Sequence, residues 1–189
     1  RAHASLPGSE TSGPQTSGAV TWVVTRTDDS GDGTLRWAMD SATGGDTITF
    51  DPLVFPPSHP ATITLETGLP AIIQGWLTID GSNAGIVLDG SHTPTDTGTA
   101  QAALAEGVQS AVAGDKPSVS ATNGLLIQSN GNTIRGLQIL SFPGDGVRIG
   151  SGARDTTIGG SSAVGIGPLG QGNLISGNVG QGVNILGAS

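Results

Sequence analysis

Cysteine is absent from the chain, tyrosine is absent as well, and lysine occurs once, at Lys116. Without cysteine there are no disulfides, no thiolate nucleophile and no Cys-ligated zinc. Seven basic residues against fifteen acidic ones leave a net charge of −8. Phosphate neutralisation needs Lys/Arg clusters, so nucleic acid is excluded as a partner. Anionic membrane surfaces are disfavoured for the same reason. No apolar run approaches the ~18 residues of a membrane-spanning helix. Three Trp and three Phe are the only aromatics, so any core has to be built from aliphatic residues in thin layers.

Glycine and small residues are what the chain has in quantity. Its 189 residues include 32 Gly and 11 Pro, yet the hydrophobic fraction is still 35%. Val, Ile and Leu recur throughout, which argues against disorder and for one folded domain. The chain opens on Arg1, as a processed form or an excerpt would. Residues 1–19 (RAHASLPGSETSGPQTSGA) read as a polar arm with no apolar period. By composition this arm cannot order itself in a free monomer.

Val20–Thr25 (VTWVVT) has strand composition, and the turn cluster Asp28-Asp29-Ser30-Gly31-Asp32-Gly33 follows it. Leu35, Ala38, Met39 and Ala42 then fall at helical spacing, which predicts a short helix over 34–42. Thr34 or Asp32 would be its N-cap and Gly44-Gly45 its stop. Trp37, with Leu35 or Met39, is placed to cover the first layer of the core. From Asp46 onward short apolar runs end repeatedly in Gly, Asp or Asn: 46–51, 61–66, 71–75, 76–81, 85–90, 124–130, 132–140, 146–152, 156–160, 173–178 and 182–187. The restarts Gly124-Leu-Leu-Ile and Gly146-Val-Arg-Ile lie 22 residues apart, and Gly182-Val-Asn-Ile lies 36 further on. The excess of 14 corresponds to a loop around residues 161–172.

Several short strands per period of 20–25 residues are a solenoid signature. Glycine at tight corners and Asn at 130, 132, 173 and 178 suit that reading, because both tolerate left-handed backbone. The expected fold is therefore all-β: a right-handed parallel β-helix over residues 20–189, with a short N-terminal capping helix. Ile48, Phe50, Ile63, Ile79, Leu88, Ile127, Ile134, Ile139, Ile149, Ile158, Ile175 and Ile185 would point inward. An antiparallel sandwich with glycine-rich hairpins is the alternative. One helical insertion, 92–118, breaks the pattern: Ala100, Leu104, Val108 and Val112 (or Ala111) share a helical face and Gly114 ends it. That face packs on its own domain or on another subunit.

VVTRTDDSGDGTLRWAMDSATGGDTITFDP (23–52) resembles the opening cap of large secreted bacterial right-handed parallel β-helix proteins of the pectin-lyase-like kind. LPAIIQGWLTIDG (69–81) is similar to their first coil, and NTIRGL, TTIGG, GNLISGN and GVNILG to their repeats. The resemblance covers about 110 residues and implies the fold, a secreted or cell-surface setting and no particular activity, since one scaffold carries many functions.

Glycoside hydrolysis needs two carboxylates roughly 5–9.5 Å apart in one groove. Asp80, Asp89, Asp145 and Asp155 are the candidates, but Asp80 and Asp89 precede Gly at strand ends, where a carboxylate ordinarily caps a turn. The paired-Asp and G-H-G motifs of β-helix hydrolases and the R-x-P-x-x-R of pectate lyases are missing. Arg135, Arg148 and Arg154 are the only cations of the strand region, and His3, His59 and His92 lie in irregular Pro- or Ser-rich segments. Asp28, Ser30 and Asp32 imitate the start of a calcium loop, but its twelfth position would be Met39 instead of Glu. The Thr47/Thr49 and Thr62/Thr64 pairs are too few for an ice-binding array.

These readings leave no catalytic, metal or cofactor-binding residue. They point to a non-catalytic extracellular structural protein, a filament or scaffold subunit assembled from copies of itself by stacking and arm exchange. The expected assembly residues are Leu6 and Pro7 of the arm, Val183, Ile185 and Leu186 of the last run, and Leu104 and Val108 of the insertion. Cell-surface glycans are a further partner class, and a carbohydrate-binding or carbohydrate-degrading protein is the alternative function.

Overall fold

The structure, a computed structural model, describes residues 18–95 and 121–187. The arm up to residue 17, with Leu6 and Pro7, and residues 96–120, with Leu104 and Val108, lie outside the described residues, as does most of the insertion expected over 92–118.

Twelve strands and one helix make up the described chain, and every strand pair is parallel. In order they are β1 (Thr21–Val24), α1 (Leu35–Ser41), β2 (Thr47–Phe50), β3 (Ala61–Thr64), β4 (Thr78–Asp80), β5 (Ile86–Asp89) and β6 (Leu125–Ile127). Then come β7 (Thr133–Arg135), β8 (Leu137–Leu140), β9 (Val147–Ile149), β10 (Thr157–Ile158), β11 (Leu174–Ser176) and β12 (Val183–Ile185). They form a five-stranded sheet β1-β2-β4-β7-β10, a four-stranded sheet β11-β8-β5-β3 and a three-stranded sheet β12-β9-β6.

This corrects the expected fold. Instead of a single right-handed parallel β-helix over residues 20–189, the strands lie in three separate parallel sheets accompanied by one helix. The pairing overturns the expectation: strands of two to four residues bond only within their own sheet. Between sheets the backbone leaves the ladder at Gly and Asn corners. The run 71–75 forms no strand, contributing only an isolated bridge from Ile72 to Ile127. Parallel pairing throughout also excludes the sandwich of hairpins.

The restarts at Gly124, Gly146 and Gly182 stack in register, Leu125 beside Val147 and Val147 beside Val183. The longer connection ahead of β11 folds back on an earlier corner. There Gly167 donates its N–H to the Ser82 carbonyl at 2.8 Å, and Ile166 donates its own to Asn83 Oδ1 at 3.2 Å.

Alternation along each strand sends one face inward. Ile48, Ile63, Ile79, Leu88, Ile127, Ile134 and Ile139 are buried, with Phe50 and Ile149 nearly so. Three expected core positions in the last strands differ. Ile158 and Ile175 are only partly buried, and Ile185 is 69% exposed. Each belongs to the terminal strand of its sheet, so no further strand covers it.

Thr34 caps α1, its Oγ1 accepting the Trp37 N–H at 3.3 Å, and Leu35, Ala38 and Met39 are buried beneath it. Trp37 is partly buried and meets Trp22 edge-on, with ring centroids 5.2 Å apart. The helix is tied down on both sides. Arg36 Nη2 donates to the Thr67 carbonyl at 3.0 Å, and Gln74 Nε2 donates to the Met39 carbonyl at 2.8 Å.

At the corners, backbone N–H groups that lose their ladder partners are taken up by amide side chains. Asn132 Oδ1 accepts from Leu77 N at 3.1 Å, Asn173 Oδ1 from Leu137 N at 3.0 Å, and Asn178 Oδ1 from Phe142 N at 2.9 Å. The Nδ2 groups of these asparagines donate to the carbonyls of Ser129, Ile134 and Ile139 respectively. Replacing Asn132 with Ala leaves the buried Leu77 N–H unpaired. A loss of roughly 1–3 kcal/mol is expected, read as a lower urea midpoint with an unchanged slope.

A second corner repeats a backbone state. Two residues before β2, β4, β7 and β10 stand Gly45, Trp76, Gly131 and Asp155, with φ of 93°, 54°, 74° and 55°. The pairing registers place them in one column. Trp76 occupies this left-handed position with its ring lying against Gly131, where a Cβ would overlap the ring. Gly131→Ala should therefore destabilise the protein and red-shift the emission of Trp76, which is 65% exposed, as its ring is displaced. Combining it with Trp76→Gly should recover most of the loss, and thermal melts of the single and double variants measure this.

Candidate functional site

The four candidate carboxylates are distributed around the fold instead of converging. Asp80 ends β4 in the five-stranded sheet and Asp89 ends β5 in the four-stranded one. Asp145 sits at the corner before β9, and Asp155 is exposed at the left-handed corner before β10.

Asp80 and Asp89 do what carboxylates at strand ends ordinarily do. Asp80 Oδ1 accepts from Ser82 N at 2.9 Å and Asp89 Oδ1 from Ser91 N at 3.0 Å, each closing a turn two residues on. Asp80 Oδ2 also accepts from Arg135 Nη2 at 2.7 Å, across neighbouring strands of one sheet face. Burial works to raise the Asp80 carboxyl, but Arg135 and the Ser82 hydrogen bonds outweigh it and hold it below its ordinary value.

Asp145 is the most heavily used of the four. It is 6% exposed; Oδ1 accepts from Gln181 N at 2.8 Å, and Oδ2 accepts from Asn184 Nδ2 at 2.8 Å and Arg148 Nη1 at 3.3 Å. Its own N–H donates to Asn123 Oδ1 at 2.8 Å. Asn123, Asp145 and Gln181 thus occupy equivalent positions ahead of the three glycine restarts, and the first two each bind the backbone of the next. The signal was present in the sequence: Asn-Gly, Asp-Gly and Gln-Gly precede each restart.

Asp46 escaped sequence reasoning because it looks like the polar end of a strand. It is 2% exposed and binds Val20 N at 2.8 Å, Thr43 N at 2.8 Å, Trp22 Nε1 at 3.0 Å and Thr43 Oγ1 at 3.1 Å. The backbone N–H of Thr43, with those of Val20 and the side chains of Trp22 and Thr43, lowers its carboxyl to about 2 against the opposing effect of burial.

Two shallow grooves open on the outer side of the three-stranded sheet and share Asn123 and Leu126. The larger, about 330 Å³, adds Gln128, Arg148, Gly150, Ser151 and Leu186; the smaller, about 250 Å³, adds Gly68, Leu69, Ala121 and Thr122. Neither has a carboxylate in its lining. Arg135 is spent on Asp80, Arg148 on Asp145, and Arg154 is exposed with its N–H bound to Asn130 Oδ1 at 2.8 Å.

His59 is exposed beside the Ser58 hydroxyl, and His92 is exposed 3.3 Å from Glu66; His3 lies outside the described residues. In the calcium-like turn, Asp28 pairs with Arg26 at 2.9 Å and Asp29 with Arg36 at 2.6 Å. The expected threonine neighbours are corrected too. Thr47/Thr49 and Thr62/Thr64 lie in different sheets, and the true column is Thr21, Thr47, Thr78, Thr133 and Thr157, in register across the five-stranded sheet. Of the expected assembly residues in the described chain, Val183 and Ile185 belong to β12, and Leu186 follows it; all three are exposed.

Among the described residues no helix is long and apolar enough to cross a membrane. Comparison with protein-family models, with curated proteins and with solved structures finds no match.

Because the folded pKa of Asp46 lies below the unfolded value near 4, its contribution to stability is present above pH 4 and is lost as pH falls through about 2. Asp46→Ala is expected to cost roughly 1–3 kcal/mol at pH 7 and progressively less in acid. Denaturation midpoints of both proteins across pH 2–7 should converge at the acid end.

Proposed function

We propose that the protein is a non-catalytic structural protein of the cell exterior, a scaffold that assembles from copies of itself. The observation carrying this reading is how the carboxylates are used. Asp46, Asp80, Asp89 and Asp145 all hold backbone or side-chain donors of the fold. A general acid or nucleophile needs its carboxylate facing substrate, paired with another across a groove. Self-association is supported by the terminal strands β10, β11 and β12, whose outer edges pair with no described residue. Unpaired strand edges recruit strands. The resemblance of residues 23–52 to the opening of secreted bacterial surface proteins supports the extracellular setting, and the lack of cysteine is compatible with it.

The carbohydrate reading retains one supporting feature. The larger groove presents Arg148 with the amides of Asn123 and Gln128, a donor set able to bind an acidic sugar without cleaving it.

Incubation with pectin and polygalacturonate should release no reducing ends or unsaturated products, while light scattering should report particles heavier than the 18.6 kDa chain. Turnover that disappears in Asp145→Ala or Asp155→Ala would overturn the non-catalytic reading.

A further inference from the structure

The two ends of the stacked strands differ in chemistry. At the β1 end the core is closed. α1 lies over it with Leu35, Ala38 and Met39 buried, and Val24 and Ile63 beneath are also buried. Arg36 and Gln74 tie the helix to the chain following β3 and to the chain ahead of β4. At the other end, β10, β11 and β12 are consecutive in the chain, and each is the last strand of a different sheet. Val179 is 83% exposed, Ile185 69%, Leu174 42% and Val183 39%.

Charge sets this end apart again. After Asp155 no Asp, Glu, Lys or Arg occurs through Ser189, although the whole chain carries a net −8. Natural sheet edges are usually protected from pairing by charged side chains, above all Lys, or by Pro. These three edges carry neither: the one proline beyond Asp155, Pro168, lies in the connection ahead of β11. Two copies of an acidic protein repel each other over most of their surfaces, and least where no charge is present.

We propose that this face binds the same face of a second copy, giving a tail-to-tail dimer with both helix-covered ends outward. The proposal rests on the self-assembly reading above and specifies its contact. A head-to-tail contact would press the open edges against the end where α1 already covers the core. A like-to-like contact sets open edge against open edge and neutral apolar surface against its equivalent. Across a two-fold axis such a contact is isologous and closes at two subunits. A strand edge meeting its own counterpart there runs antiparallel to it, the slightly more stable pairing.

Sedimentation velocity over a concentration series tests this with the intact chain and two variants. Val183→Lys combined with Ile185→Lys places charge in the face at exposed positions. Val23→Lys does the same on β1 at the opposite end, where Val23 is 46% exposed. Circular dichroism and thermal melts establish that both variants fold. The expected result is a species of twice the chain mass, a dissociation constant at least roughly tenfold weaker in the double variant, and no change in Val23→Lys. Growth beyond the dimer, or equal disruption by Val23→Lys, overturns the tail-to-tail contact and leaves self-assembly standing. A monomer at the highest soluble concentration overturns both.

Discussion

A parallel ladder breaks wherever the chain turns from one sheet into the next, and every broken position leaves a backbone N–H facing the interior. Here side-chain oxygens one pass away receive those hydrogens. Asn132, Asn173 and Asn178 bind the backbone of the preceding pass, while Asn123, Asn130 and Asp145 bind that of the following one. A buried donor without a partner costs about as much as a lost core methylene or more. With no disulfide and almost no aromatic bulk, the stacking of passes depends on these amides. The aliphatic layers fill the space that the amides hold in register.

The same economy explains why chemistry is scarce. Side chains that would serve a reaction are already employed as staples: Asp46 joins β1 to the segment before β2, Asp80 and Arg135 bridge adjacent strands, and Asp145 links three passes. A lowered carboxyl pKa is often read as a mark of function. For Asp46 the cause is a set of fixed donors with no opening for a substrate, and the shift measures structural engagement.

Much of the strand pattern was legible, because Ile at alternate positions between Gly, Asp and Asn allows little else. The restarts at Gly124, Gly146 and Gly182 stack as their spacing suggests. Sheet membership was less visible. Thr47 and Thr62 sit in similar-looking runs but in different sheets, since local pattern records which side chains alternate and not which distant strand lies beside them. The stapling role of Asp145 was hidden for a related reason: its partners, Gln181 and Asn184, lie 36 and 39 residues later. Ile185 shows the converse error, an inward-pointing position without an outer layer to bury it.

Purely parallel pairing has a kinetic corollary. The nearest paired strands, β6 and β9, are 22 residues apart along the chain, so every ladder bond follows the closure of a long loop. Loop-closure entropy is lost before a contact repays it, and chains dominated by such contacts fold slowly. The most local tertiary contact is at the start, where Trp37 of α1 meets Trp22, 15 residues earlier. Growth from that nucleus makes each completed pass the template for the next, so folding acquires a direction along the sequence, the one in which a ribosome delivers it.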